Sequence, residues 1–306
     1  MLVPILVVVG LAILIPIIIE VSAAVGMNAS LGKRGDGSVS IKYPLPSEQK
    51  DLVYKKDYFF NDSGNKFVIF EYRHKSVKEP KKALLMIHGL GCGHFYLLPL
   101  INYFAKQGYL ILAYDQFASG LSEGKAIKSM TVGARDVKFA LKYVDEKYGN
   151  LPLSVFGHSW GGFTASIALN YSNRIEKTIL VSGFNRQSDF VLNGNFLGIL
   201  LSFVLKIRDA FIYKKYVKFS TINSLKKIKN YNIKNMIIAG GVSANKYLRG
   251  EIKKVTDKYN VELSVPKFLY CTDNGAMIGA AAYPLYLKRE FMDLSLNAEA
   301  VVPLKS

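Results

Sequence analysis

Between about residue 65 and residue 181, short apolar runs alternate with longer stretches whose apolar residues recur at helical spacing. Phe67–Phe70, Ala83–Ile87, Tyr109–Tyr114, Leu153–Phe156 and Thr178–Val181 are short enough, and apolar enough, to predict buried strands. Tyr96–Gln107 and Val132–Tyr148 predict helices between them. The same rhythm returns late in the chain. There it predicts a strand at Met236–Ala239, a helix at Asn245–Tyr259, a strand at Val261–Val265 and a helix at Gly275–Tyr286. Strand–helix alternation of this kind implies an α/β fold with a mostly parallel sheet, covered by helices on both faces.

Two stretches break the rhythm. Residues 1–26 open with Met1–Ile19, which carries no charged side chain. At about 1.5 Å per residue such a helix spans roughly the 30 Å of a bilayer core. A single transmembrane anchor is expected, with a cleaved signal peptide as the alternative, because Val21-Ser22-Ala23 and Ser22-Ala23-Ala24 resemble cleavage sites. Lys33, Arg34 and Lys42 follow it, which favours a cytoplasmic catalytic domain. Residues 27–50 are polar and glycine-rich, as a linker would be. The second break is residues 184–232, a helical insertion in which apolar Phe196–Leu205 runs into Lys206, Arg208, Lys214, Lys215 and Lys218. It reads as a cap over a site, a surface against lipid or an ordinary buried helix pair.

Composition sharpens this only in places. Half of the 306 residues are hydrophobic, which supports a large core and excludes global disorder. The formal charge of +17 suits lipid headgroups, RNA or simply a solvated lysine-rich surface. Cys92 and Cys271 stand far apart, so neither a disulfide framework nor a cysteine metal site is indicated.

The chemistry concentrates at Gly157-His158-Ser159-Trp160-Gly161, a G-x-S-x-G sequence between a predicted strand and a predicted helix. Gly157 and Gly161 permit a sharp turn that lifts the serine oxygen off the sheet. The helix that follows aims its free N–H groups at developing negative charge. His88-Gly89-Leu90-Gly91 ends a strand about seventy residues earlier. Asp115-Gln116-Phe117-Ala118-Ser119-Gly120 ends another. Over residues 51–235 these motifs together resemble the α/β-hydrolase superfamily, in particular its monoacylglycerol-lipase and serine-aminopeptidase-like branch. The resemblance implies that Ser159 is a nucleophile and that the backbone N–H groups of Leu90 and Trp160 form an oxyanion hole. It implies no cofactor.

The same family completes its site in the order Ser, acid, His. The four histidines here, His74, His88, His94 and His158, all precede Ser159. Asp189, Asp209, Glu251, Asp257, Asp273 and Asp293 follow it, but an acid without its histidine has nothing to orient. His94 stands as the one substitute base. His88 is expected to brace its own loop, and Asp115 to order the turn after its strand.

Residues 236–306 carry a different resemblance. Met236-Ile237-Ile238-Ala239-Gly240-Gly241-Val242-Ser243-Ala244-Asn245 and Cys271-Thr272-Asp273-Asn274-Gly275-Ala276 are similar to the C-terminal portion of the tRNA threonylcarbamoyladenosine transferase family. That resemblance implies nucleotide contact through Gly240, Gly241 and Asn245, and a metal ligand at Asp273. No two histidines here stand four apart, so that family's histidine pair is missing, and a lone aspartate does not hold a catalytic metal. Gly240-Gly241 is then read as a helix-entry turn. Three functions follow. The first is a membrane-associated serine hydrolase, short of its histidine, acting on small-molecule esters or amides with an apolar, lipid-like acyl part. The second is a non-catalytic lipid- or partner-binding relative. The third is a nucleotide-binding, tRNA-modification-related protein, although nucleic acid is not the expected partner.

Overall fold

A computed structural model describes residues 49–188, 206–227, 233, 235–271 and 275–289. The expected anchor, the linker up to residue 48, Phe196–Leu205, Asp189, Asp273 and Asp293 lie outside these residues. Among the described residues no helix is long and apolar enough to cross a membrane.

Eight strands form one sheet: β1 (Leu52–Phe60), β2 (Lys66–His74), β3 (Lys82–Ile87), β4 (Tyr109–Tyr114), β5 (Leu153–His158), β6 (Ile175–Val181), β7 (Asn235–Ala239) and β8 (Glu262–Ser264). Their spatial order is β1-β2-β4-β3-β5-β6-β7-β8. The hairpin β1–β2 and the pair β2–β4 are antiparallel; every pairing from β4 onward is parallel. Parallel neighbours need crossovers; those of β3–β4, β3–β5, β5–β6 and β7–β8 carry α1 (Leu98–Lys106), α2 (Thr131–Tyr148), α3 (Trp160–Ala168) and α4 (Lys246–Lys258) in turn, while β6 reaches β7 through the insertion. A last helix, α5, spans Gly275–Leu287.

Alternation along the central strands divides the core. Leu85, Ile87, Leu112 and Val155 face α2 and α3 in one cluster. Leu84, Met86, Ile111 and Phe156 face α1 in the other. Each of these side chains is buried on a sheet covered from both sides, which is why the strands read as continuous apolar runs.

The late strand–helix–strand–helix unit adds β7 to β6 in parallel register, Thr178 beside Met236 and Leu180 beside Ile238. β8 then pairs with β7. Residues past 235 therefore finish the sheet begun by residues 51–181. The strand Leu52–Phe60 was not predicted. It is an edge strand, mostly exposed, and Lys55, Lys56 and Asp57 interrupt any apolar alternation.

Of the insertion, residues 206–213 are helical, and Thr221–Leu225 forms a short helix. Ser220 Oγ caps that helix by accepting the Asn223 N–H at 3.1 Å. Within that basic run Arg208 is buried, and its guanidinium donates to the Lys128 carbonyl.

Candidate active site

Strand β5 ends at His158 and helix α3 begins at Trp160, so a single residue makes the turn. That residue, Ser159, has φ 56° and ψ −117°. A non-glycine residue in this region is strained, and it persists only where its surroundings hold it there. The surroundings leave no slack. A Cβ on Gly157 would meet the Gly161 carbonyl oxygen at 2.1 Å, and one on Gly161 would meet that of Ile87 at 2.1 Å. Ser159 N–H donates to the Val181 carbonyl at 2.7 Å, and its own carbonyl accepts from Phe163 N–H at 3.2 Å. The turn is thus bolted to β3, β6 and the first turn of α3.

The loop after β3 comes to the same place. A Cβ on Gly89 would stand 3.3 Å from Ser159 Cβ, so only backbone fits between the serine and the loop. His88 lies wholly buried beneath it. Its Nε2 accepts the Gln116 N–H at 2.8 Å. The ring proton is therefore on Nδ1, which donates to the Gly89 carbonyl at 2.7 Å. Burial holds the His88 pKa below its ordinary value, in keeping with a neutral ring whose Nε2 accepts. Because a peptide unit is planar and trans, pinning the Gly89 carbonyl also fixes the opposite direction of the Leu90 N–H. Gln116 completes the brace: its Nε2 donates to the His88 carbonyl and its Oε1 accepts from Thr164 on α3. The strut role of Gln116 and Thr164 was not foreseen from the sequence, since it joins segments far apart in the chain.

His94 lies elsewhere. Its Nδ1 meets Asp115 Oδ1 at 2.9 Å and its Nε2 meets the Tyr72 hydroxyl at 2.9 Å. The ring is fully buried, with Phe70 stacked 4.0 Å away and Phe95 tilted against it at 4.0 Å. Both ring nitrogens are thus occupied away from Ser159, and His94 is held as a brace. Asp115 gathers this corner, accepting from the His94 and Leu121 N–H groups as well. Burial pushes its pKa up, but the His94 and His88 rings and these donors hold it below the ordinary carboxylate range.

The other two histidines are also placed. His158 is half-buried, stacked on Tyr96, with Nδ1 enclosed and without a hydrogen-bond partner among the described residues, and burial lowers its pKa. His74 sits at the end of β2 and bonds Ser76.

Beyond β6 the described acids are engaged in structure. Asp209 accepts from Ser129 and Thr131. Glu251 and Asp257 pair with Lys254 and Lys253 on the surface of α4. The loop after β7 carries no acid at all. Gly240 turns at φ 83°, where a Cβ would overlap Ser182 Oγ at 1.8 Å. Gly241 opens a single 3₁₀ turn, and Asn245 caps α4 by accepting the Leu248 N–H at 3.0 Å. The residues expected to touch a nucleotide therefore serve here as a helix entry. Among the described residues, no three His, Cys, Asp or Glu side chains are grouped so as to hold a metal.

A family model for serine aminopeptidase S33 hydrolases matches residues 78–250. Among solved structures, an esterase of Pyrococcus furiosus superposes with a TM-score of 0.57 at 21% identity, covering 82% of this chain and 94% of its own. Brefeldin A esterase, a bacterial homologue of human hormone-sensitive lipase, gives a TM-score of 0.55 at 14% identity, covering 89% and 82% of the two chains. At such identities the likeness is one of fold. The curated relatives are different proteins. The tRNA N6-adenosine threonylcarbamoyltransferase of Christiangramia forsetii is 48% identical over 80 residues, 26% of this chain and 24% of that protein. That of Thermosipho africanus is 40% identical over 85 residues, 28% of this chain and 26% of that protein. The chain thus spans about a quarter of the length of the curated relatives it matches.

Proposed function

Since the chain belongs to the serine aminopeptidase S33 family of hydrolases, we propose that Ser159 is the nucleophile of an esterase-like enzyme that cleaves uncharged small-molecule esters or amides with an apolar acyl group. The observation that carries this reading is the strained turn at Ser159, pressed to within 3.3 Å of a Cβ position on the Gly89 loop. Strain of this kind exposes an oxygen for attack, and the adjoining backbone is where a developing oxyanion needs donors. The N–H groups of Leu90 and Trp160 take that role, the first aimed by His88 and the second by the start of α3.

The step this assembly runs is acyl transfer without a resident base. Hydroxide removes the Ser159 proton, Oγ attacks the carbonyl carbon, and the oxyanion rests on the two N–H groups. Collapse breaks the bond to the leaving oxygen or nitrogen, which takes a proton from water and departs as alcohol or amine, regenerating hydroxide; a second hydroxide or water then cleaves the acyl-serine. Loss of the histidine costs serine hydrolases on the order of 10⁴ to 10⁶ in rate, so turnover is slow and rises with pH. Within residues 235–271, β7 and β8 serve in this reading as structure, completing the sheet.

The enzyme works at a membrane surface. Met1–Ile19 supplies an uncharged anchor in the sequence. Phe211 and Ile212 are exposed beside exposed Lys214 and Lys215, and Met277, Tyr283, Tyr286 and Leu287 are exposed on α5, which bears no charge from Gly275 to Leu287. The test is hydrolysis of p-nitrophenyl butyrate by the full-length chain and by Ser159→Ala. Slow turnover that vanishes in the variant supports the reading; equal rates in both would end it.

A further inference from the structure

Beside α3, one helical turn from Ser159, lies a cavity of about 200 Å³. Phe163, Val217 and Phe219 form its apolar wall. Phe163 is buried and stacks on Phe184 with ring centres 5.0 Å apart. Phe219 meets Tyr171 edge to face, so this wall is held in place from behind.

Charge around the cavity is uneven. Among the described residues Asp209 is the one acid that lines it. Its Oδ2 accepts from Ser129 and Thr131, and its Oδ1 pairs with Arg208 at 3.6 Å. Burial also raises its pKa, so negative charge on that wall is both disfavoured and matched. Two cations, Arg186 and Lys206, line the same cavity and are exposed. Neither pairs with an acid among the described residues. Arg186 follows β6, whereas Lys206 begins the helical stretch 206–213, so two segments distant in sequence bring like charges to one opening. A lone surface cation is simply solvated. Two beside a low-dielectric wall focus a positive field into the cleft, where water screens it less.

We propose that this cavity binds a small organic carboxylate, its head at the rim with Arg186 and Lys206 and its apolar ring or short chain against Phe163, Val217 and Phe219. The planar guanidinium matches both oxygens of a carboxylate, and the ammonium adds a second charge. The volume suits the body, since a cavity of about 150 Å³ holds a benzene ring. The acid released when an ester with an apolar acyl group is cleaved has this chemistry. That selects a carboxylate over other anions, and to that extent the inference rests on the proposed function.

The probe is benzoate, titrated against the full-length Ser159→Ala chain and followed by calorimetry and melting temperature, so that no turnover is needed. Saturable binding is expected. Benzamide, which keeps the ring without the charge, and acetate, which keeps the charge without the ring, should each bind about fivefold or more weakly. Raising salt to about 0.5 M should weaken benzoate and leave benzamide unchanged. The double variant Arg186→Gln, Lys206→Gln changes only exposed side chains and should weaken benzoate about five- to tenfold. Val217→Phe, which fills the apolar wall, should abolish binding. No saturable binding, equal affinity for benzamide or acetate, or an unaffected double variant would each overturn the proposal. Because Ser159 is absent from the assay, failure here is distinct from failure of Ser159 to turn over esters.

Discussion

His94 Nδ1 and Asp115 Oδ1 stand 2.9 Å apart in the interior, and the far nitrogen of the same ring meets the Tyr72 hydroxyl. An acid–imidazole–hydroxyl chain is thus present in this protein, but it ends on a buried tyrosine of β2 instead of on the serine. Its work is mechanical: it ties β2, the loop after β3 and the turn after β4 into one corner.

Replacing His94 with Ala leaves the Asp115 carboxylate buried with a partner removed. Loss of one member of such a pair costs about 3–5 kcal/mol. Denaturant unfolding of His94→Ala should show a loss of that size. Residual ester turnover, corrected for the folded fraction, should stay within a few-fold of the parent. A fully stable variant with abolished turnover would instead make His94 the base.

The sheet was legible because its central strands are buried on both faces, and the predicted runs at Ala83–Ile87, Tyr109–Tyr114 and Met236–Ala239 fall inside β3, β4 and β7. The edge strand Leu52–Phe60 was not, because a strand that faces water on most of its length has no apolar signature. The elbow could be read from Gly157 and Gly161, whose necessity is a steric fact of the turn itself. The struts could not. Gln116 reaches His88 and Thr164 across 28 and 48 residues of sequence, and no local pattern encodes a contact of that range.

Gly161→Ala should be among the most damaging small substitutions in the chain. The new methyl would stand 2.1 Å from the Ile87 carbonyl oxygen, and rigid backbone has to move to admit it. Thermal unfolding of Gly161→Ala should fall by several degrees, and fluorophosphonate labelling of Ser159 should be lost even below the melting temperature. Gly250→Ala, at a position with nothing within 4 Å, is the control and should be neutral or slightly stabilising.

Asp209 gives a pH signature. Its pKa is raised in the folded protein, so its contribution to stability is fully present below the unfolded value near 3.8 and is lost as pH rises through the folded value. Asp209→Asn cannot titrate. The stability difference between parent and Asp209→Asn should therefore shift toward the variant as pH rises from about 4 to 7. Equal slopes in chemical denaturation at these pH values would show that Asp209 is ionised in the fold.

Asn245→Ala tests the fate of the late segment. The side chain caps α4, and an Asn cap replaced by Ala costs about 1 kcal/mol. Melting should register that loss, while calorimetry with ATP should show no specific binding to the parent or to the variant. Micromolar ATP affinity that disappears in Asn245→Ala would assign the loop a nucleotide role.

In the proposed reading Ser159 is a strained, half-buried nucleophile that works without a resident base. The rate of fluorophosphonate labelling of the full-length chain against pH tests it most directly, with Ser159→Ala as the blank. Slow labelling is predicted, confined to Ser159, rising about tenfold per pH unit between pH 7 and 9 as hydroxide takes the proton. Labelling at ordinary serine-hydrolase rates, levelling off above neutral pH, would reveal a general base and contradict the account. So would labelling that persists unchanged in Ser159→Ala.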